Sequence, residues 1–291
     1  MSSAPASRAP GPERPIRLVE VGPRDGLQTE SRIVPTEVKI AFVDALSAAG
    51  FEEIEVSSFV SPSWIPQLAD AEAVFDGIDR RPGVVYSALV PNQAGLARAM
   101  TAGAGKVAVF TAASETFTRR NINASIAESI ERFRPVLATS PVPVRGYVST
   151  AFHCPFEGPI APRQVLPVVR ALVGLGCAEV SIGDTIGRAT VEEVRQLLEA
   201  LLAVWPAERL ALHLHDTFGR AADNARAAAE LGITTFDASA GAIGGCPYAP
   251  GAPGNVSTQA LIAEFAGRTA VDPAAVDRAA ALVRPYLSAR S

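Results

Sequence analysis

Residues 16–28 read I-R-L-V-E-V-G-P-R-D-G-L-Q, and the turn at their centre decides between two folds. A β-rich run, 16–21, ends in Gly22-Pro23-Arg24-Asp25-Gly26. An open doubly wound sheet wants a Gly-rich phosphate turn after its first strand. Here a proline, an arginine and an aspartate stand in that place. Outward from this turn the chain alternates without a break. Strand-like runs at 53–57, 84–90, 106–111, 144–150, 178–183, 209–215 and 235–240 are separated by helix-like stretches, among them 67–75 and 123–138. Eight strand–helix units predict an α/β fold, a single-domain (β/α)8 TIM barrel over 16–291 with a closing helix near 274–287. Residues 1–15 carry four prolines and read as a disordered tail.

Composition agrees. The chain has 291 residues, which suits a barrel of ~250 residues. With 48% apolar and 19% charged residues, wholesale disorder is excluded. A net charge of −4 disfavours a nucleic-acid-binding surface. No apolar run reaches the ~18 residues of a membrane span, and the first residues lack a secretory apolar stretch. Cys154, Cys177 and Cys246 are an odd number at wide spacings, which fits neither a disulfide framework nor a paired-cysteine zinc site. A cytoplasmic, reducing location is expected. Cys154 and Cys177 read as small buried hydrophobes.

A barrel of this kind keeps its reactive groups at the C-terminal ends of its strands. His213 and His215 lie two apart on the seventh strand and so share a face. Leu210, Leu212 and Leu214 take the other face, towards the helices. A lumen ordinarily takes branched apolar residues, so two imidazoles there favour a divalent metal over hydrogen-bonded core packing. Asp25 follows strand one and Asn255 follows strand eight. Closure of the barrel brings both beside strand seven. Two nitrogens and two oxygens suit an octahedral ion, Mg²⁺ or Mn²⁺, better than zinc.

Arg24, next to Asp25, could stabilise negative charge on a carbonyl oxygen, with a surface salt bridge as the plainer role. Glu55 shares a face with Ser57 on strand two and points a carboxylate into the lumen, where Arg24 or the metal shell would pair it. Asp184, in G-D-T-I-G, is either a helix cap or a proton-transfer group. The Gly- and Pro-rich stretch 241–255 reads as a mobile active-site loop with one thiol, Cys246, suited to acid–base work. His153 has no assigned role.

These segments also resemble a known family. V-G-P-R-D-G-L-Q-T-E, I-E-V-S-S-F-V-S-P, S-E-T-F-T-R-R-N-I-N, R-G-Y-V-S-T, G-D-T-I-G, H-L-H-D-T and G-G-C-P-Y-A-P-G-A-P-G-N are similar, in order over about residues 16–266, to 3-hydroxy-3-methylglutaryl-CoA (HMG-CoA) lyase. The resemblance implies divalent-metal-dependent retro-Claisen cleavage to acetoacetate and acetyl-CoA, in leucine breakdown. It implies that Asp25, His213, His215 and Asn255 hold the cation, and that Arg24 supports the thioester carbonyl. Cys246 would take part in proton transfer, assisted by Glu55, Asp184 and His213. Gln28, Tyr147 and Thr185 would lie near the acyl pocket. The expected partners are an acyl-CoA substrate and a second copy in a homodimer, with no nucleic acid and no membrane. Ser31 stands where family members often carry lysine, and T-A-F-H-C-P-F-E-G departs from the usual strand-five ending. Both departures bear on acyl-chain and CoA-tail preference, so a lyase for another 3-hydroxy-3-alkylglutaryl-CoA is the alternative. A Claisen-type synthase on the same barrel usually has an acidic residue where Leu27 stands. A catalytically dead barrel would have a broken metal set or no loop thiol; both are intact here.

Overall fold

The computed structural model describes residues 14–246 and 249–288, with side chains except over 245–253. Eight parallel strands form a closed barrel: β1 (Arg17–Glu20), β2 (Glu53–Ser58), β3 (Val85–Leu89), β4 (Lys106–Ala112), β5 (Val144–Ser149), β6 (Glu179–Asp184), β7 (Leu210–Leu214) and β8 (Thr235–Ala238). Each pairs with its sequence neighbours. β1 closes the ring, with Arg17 opposite Thr235 on one side and Val19 opposite Glu53 on the other. Among the described residues, ten α-helices lie outside or cap the ends: α1 (Thr36–Ala48), α2 (Ala71–Gly77), α3 (Gln93–Thr101), α4 (Glu115–Ile122), α5 (Ile126–Thr139), α6 (Pro162–Leu175), α7 (Val191–Leu202), α8 (Ala221–Glu230), α9 (Thr258–Glu264) and α10 (Pro273–Val283). Among the described residues no helix is long and apolar enough to cross a membrane.

The expected helix over 123–138 forms as α5, and a helix the sequence reading left out, α4, precedes it. Asn123 adopts a left-handed conformation, φ 50°, and ends α4, as a residue with a short amide side chain tolerates. Ser125 then starts α5 with a reciprocal cap: its hydroxyl accepts the Glu128 N–H, and the Glu128 carboxylate accepts the Ser125 N–H. The first residues of the expected 67–75 helix form part of a 3₁₀ turn, Pro66–Leu68, ahead of α2.

Alternation along the strands divides the interior into two zones. Outward-facing Ile54, Val107, Val180, Ile182, Leu210, Leu212 and Leu214 join the helices' Phe42, Leu46, Leu172, Leu197 and Leu201 in one apolar layer. Burying this face is the main source of stability. The layer is tight: a Cβ on Gly146 of β5 would sit 2.9 Å from Leu172 of α6. The lumen overturns the expectation of branched apolar filling. Its floor is an ion-pair network in which Lys106 lies 2.9 Å from Glu53 and 3.2 Å from Glu179. Arg17 pairs with the same two carboxylates. Arg145, almost wholly buried, reaches Glu179 at 3.1 Å and Asp237 at 2.6 Å. Three cations meet three carboxylates, so the network carries no net charge.

Candidate active site

The pole of the barrel at the strand C-termini holds a cavity of about 370 Å³. Arg24, Asp25, Gln28, Tyr147, Thr185, His213 and His215 line it, so seven of the expected site residues converge. The segment carrying Asp25 is a single wide turn, Gly22–Gly26, of π-helical type. It closes through bonds from the Asp25 and Gly26 N–H groups to the Val21 carbonyl, 2.8 and 3.1 Å. Asn255 is placed by backbone pairing: it bridges to His215, and its flanks bond to Leu214 and Ser239 between β7 and β8.

Asp25, His213 and His215 each offer one ligand atom, all within 4.8 Å of one another. His215 Nδ1 is buried without a hydrogen-bond partner. Burial and the neighbouring His213 push the His215 pKa down to about 3, so its ring is neutral near pH 7 and keeps a free lone pair. For Asp25, burial works against ionisation, but Arg24, the two histidines and Asn255 hold it well below the usual carboxylate range. The Asn255 amide donates to Asp25 Oδ2 at 3.0 Å and to the Ile243 carbonyl at 3.3 Å. That commits its nitrogen and leaves its oxygen as an acceptor. An orphaned ring nitrogen, an ionised carboxylate and a free amide oxygen are the donor set of a divalent cation.

Arg24 is fixed on two sides. Its guanidinium meets Glu55 Oε2 through Nε at 2.8 Å and Nη2 at 2.6 Å, and donates to Asp25 Oδ1 at 2.5 Å. Burial alone would weaken its charge, yet the Glu55 and Asp25 carboxylates hold its pKa above the ordinary arginine value. Of its five N–H bonds, two remain for a ligand oxygen. Tyr147 also donates to Glu55 Oε2, at 3.2 Å. Glu55 itself does not line the cavity; it stands behind Arg24 and orients it. Thr185 lines the cavity and accepts the Thr150 N–H at 2.7 Å.

Asp184 is set apart from this group. Its two oxygens accept the Arg188 and Ala189 N–H groups at 3.1 and 3.0 Å, and it is not among the lining residues. It tethers the loop after β6 and does not cap the helix that follows, since Thr190 caps α7. The Cys246 side chain lies outside the described residues, as do those of most of the stretch 241–255. Its backbone, Gly245–Cys246, pairs antiparallel with Ala249–Pro253. Cys154 and Cys177 are buried, as expected of small hydrophobes. His153 pairs with Glu193 at 2.9 Å and does not line the cavity. Sequence reasoning missed Asp237 and Arg145. Asp237 accepts from His213 Nδ1 at 3.2 Å, and Arg145 holds Asp237. The signal was present: both sit at lumen-facing positions of buried strands, Arg145 two residues before Tyr147.

Residues 15–282 match the HMGL-like family model. The chain belongs to this family. Within it, the chain is 53% identical over 250 residues to the 3-hydroxy-3-isohexenylglutaryl-CoA/hydroxy-methylglutaryl-CoA lyase of Pseudomonas aeruginosa, covering 85% of this chain and 83% of that one. It is 52% identical over 250 residues to the 3-hydroxy-3-methylglutaryl-CoA lyase, cytoplasmic, of Danio rerio, covering 85% and 75%. The crystal structure of hydroxymethylglutaryl-CoA lyase from Pseudomonas aeruginosa superimposes with a TM-score of 0.92 at 49% identity, covering 96% of this chain and 95% of that one. Membership of the HMG-CoA lyase family makes the chain a carbon–carbon lyase. The barrel predicted from the strand–helix alternation is the fold of these enzymes.

Proposed function

We propose that the protein cleaves 3-hydroxy-3-methylglutaryl-CoA into acetoacetate and acetyl-CoA, using Mg²⁺ or Mn²⁺ held by Asp25, His213, His215 and Asn255. The observation that carries this reading is the convergence of three ligand groups beside a buried, immobilised Arg24 at the mouth of the barrel. When bound, a divalent cation supplies Lewis acidity that makes a substrate hydroxyl easier to deprotonate. Asp25, whose carboxylate has a second oxygen beyond the one it would give a cation, is the lining group placed to take up that proton. As the C–C bond breaks, electrons move onto the thioester carbonyl of the departing acetyl-CoA. The two spare N–H bonds of Arg24 stabilise that oxygen, and because Glu55 holds the guanidinium, little reorganisation is needed at that moment. Protonation of the enolate carbon completes acetyl-CoA, and we assign that step to the loop thiol, Cys246. We also assign it as a homodimer in the cytoplasm, acting in leucine breakdown; its relatives are named both cytoplasmic and mitochondrial.

A second reading is favoured by the shape of the cavity. Away from Arg24 and the histidines much of its wall is apolar, with Ile65, Leu89, Phe110, Phe117, Ile122 and Phe133 beside Asn92, Asn121 and Arg132. That wall suits a 3-alkyl group longer than methyl, and the Pseudomonas aeruginosa relative is named for both substrates. A series of 3-hydroxy-3-alkylglutaryl-CoA thioesters tests both readings. Acetyl-CoA release from the methyl compound, with acetoacetate as co-product, is the expected result. Release from the longer homologues at comparable kcat/KM would assign the broader substrate class. Release from none would overturn the lyase reading.

A further inference from the structure

We propose that Asp237 is a positioning residue for the metal centre: it fixes His213 in the tautomer and orientation that present a lone pair on Nε2. Asp237 lies on β8, next to the strand that carries His213, and opposite it in register. It is almost wholly buried, and its carboxylate has three polar partners. Arg145 donates to Oδ1 at 2.6 Å, and Ser181 donates to Oδ2 at 3.1 Å. His213 Nδ1 lies 3.2 Å from the same Oδ2. A carboxylate already paired with a guanidinium is an acceptor only, so the Nδ1 atom has to carry the proton.

The consequence falls on the other ring nitrogen. His213 Nε2 lies 3.8 Å from Asp25 Oδ2. With the proton on Nδ1, a lone pair there faces an ionised carboxylate, an arrangement that a cation between them stabilises. A carboxylate that orients a ligating imidazole also raises its basicity, and loss of such a partner typically weakens metal binding ~10–100-fold. Asp237 is held from behind by Arg145, and Arg145 by Glu179. The ion-pair floor of the barrel thus extends to the metal centre through one carboxylate. The same geometry limits His213: with Nδ1 committed to Asp237 it has one nitrogen left, so it cannot ligate the cation and act as a base at once.

This inference deepens the proposed metal-dependent function and rests on it, so the test reads the ring and the metal separately. The chain has three histidines, so imidazole ¹⁵N NMR of the histidine-labelled protein resolves each ring, with His213→Asn assigning its signal. The expected result is an Nδ1-protonated His213 in the metal-free wild type, lost or shifted in Asp237→Asn. Calorimetric titration with Mn²⁺ is expected to show ~10–100-fold weaker binding in Asp237→Asn, and a smaller loss in Ser181→Ala, which keeps the carboxylate and removes one of its three donors. A neutral His213 ring in the wild type with its proton on Nε2 and none on Nδ1 overturns the proposal, whatever the fold of the variant. Unchanged Mn²⁺ affinity in a folded Asp237→Asn overturns it as well. If the wild-type ring is Nδ1-protonated but the protein binds no Mn²⁺, the positioning stands and the metal reading falls.

Discussion

His215 and Cys246 separate two tasks at single residues. His215 has a buried, unpartnered ring nitrogen and a neutral ring, so its only chemical use at this pole is as a ligand. His215→Ala is therefore expected to lose metal binding and turnover together, read by metal analysis of the purified protein and by acetyl-CoA release. Cys246→Ala is expected to lower kcat by ~10²-fold or more, the scale of a lost proton-transfer group, with Mn²⁺ affinity unchanged. Loss of metal in Cys246→Ala would move the thiol into the ligand set. At this scale the convergence of Asp25, His213 and His215 was legible, because H-x-H on a strand puts both rings on one face. Asp237 and Arg145 were not, because the expectation of an apolar lumen removed any reason to look for charges there. Asp184 was legible only as two alternatives, since a carboxylate after a strand reads alike as a cap and as an acid.

Among the elements, the turn that carries Arg24 and Asp25 depends on Glu20 at the end of β1. Glu20 is fully buried on the outward side of the barrel. Its Oε1 accepts the Gly22 and Ala240 N–H groups at 2.8 and 2.9 Å, and its Oε2 accepts from the Thr258 hydroxyl at 2.7 Å. One carboxyl group thus ties β1, the segment after β8 and α9 together. Burial outweighs these bonds and pushes its pKa up from 4.5 to about 7. A carboxyl group whose pKa is raised on folding binds more protons in the native state. Its contribution is fully present below about pH 4.5 and is lost as pH rises through about 7, a change of up to about 3 kcal/mol. Glu20→Gln keeps an acceptor for both N–H groups and cannot ionise. Urea-unfolding midpoints are expected to fall from about pH 5 to pH 8 in the wild type and to fall less in Glu20→Gln. Equal slopes would mean that Glu20 titrates normally. The eight strands were legible from alternation and spacing, with ends displaced by a residue or two. Helix α4 was not read, because its residues E-T-F-T-R-R-N-I are mostly polar and carry little apolar periodicity; the start of α5 was legible, with a capping box at Ser125-x-x-Glu128.

For the whole molecule, the barrel contains two interiors: an apolar layer between strands and helices, and a charged lumen beneath the site. The first follows from strand alternation and was legible. The second depends on which cation meets which carboxylate across the ring, and pairings between β2, β4, β5, β6 and β8 are set only when the barrel closes. Removing one member leaves its partners charged and buried. Arg145→Met is expected to destabilise the protein by about 3–5 kcal/mol, because Asp237 and Glu179 lose their shared cation. A urea midpoint like that of the wild type would show that water or Lys106 replaces it. The account as a whole rests on a metal-dependent lyase centre at the top of this barrel. The most direct test is release of acetoacetate and acetyl-CoA from 3-hydroxy-3-methylglutaryl-CoA by the purified, reduced protein. It is measured as prepared, after EDTA, and after Mg²⁺ or Mn²⁺ is restored. The account predicts release, its loss with EDTA and its return with metal. Cleavage that persists in EDTA with no metal bound, or no cleavage with the metal in place, would contradict it.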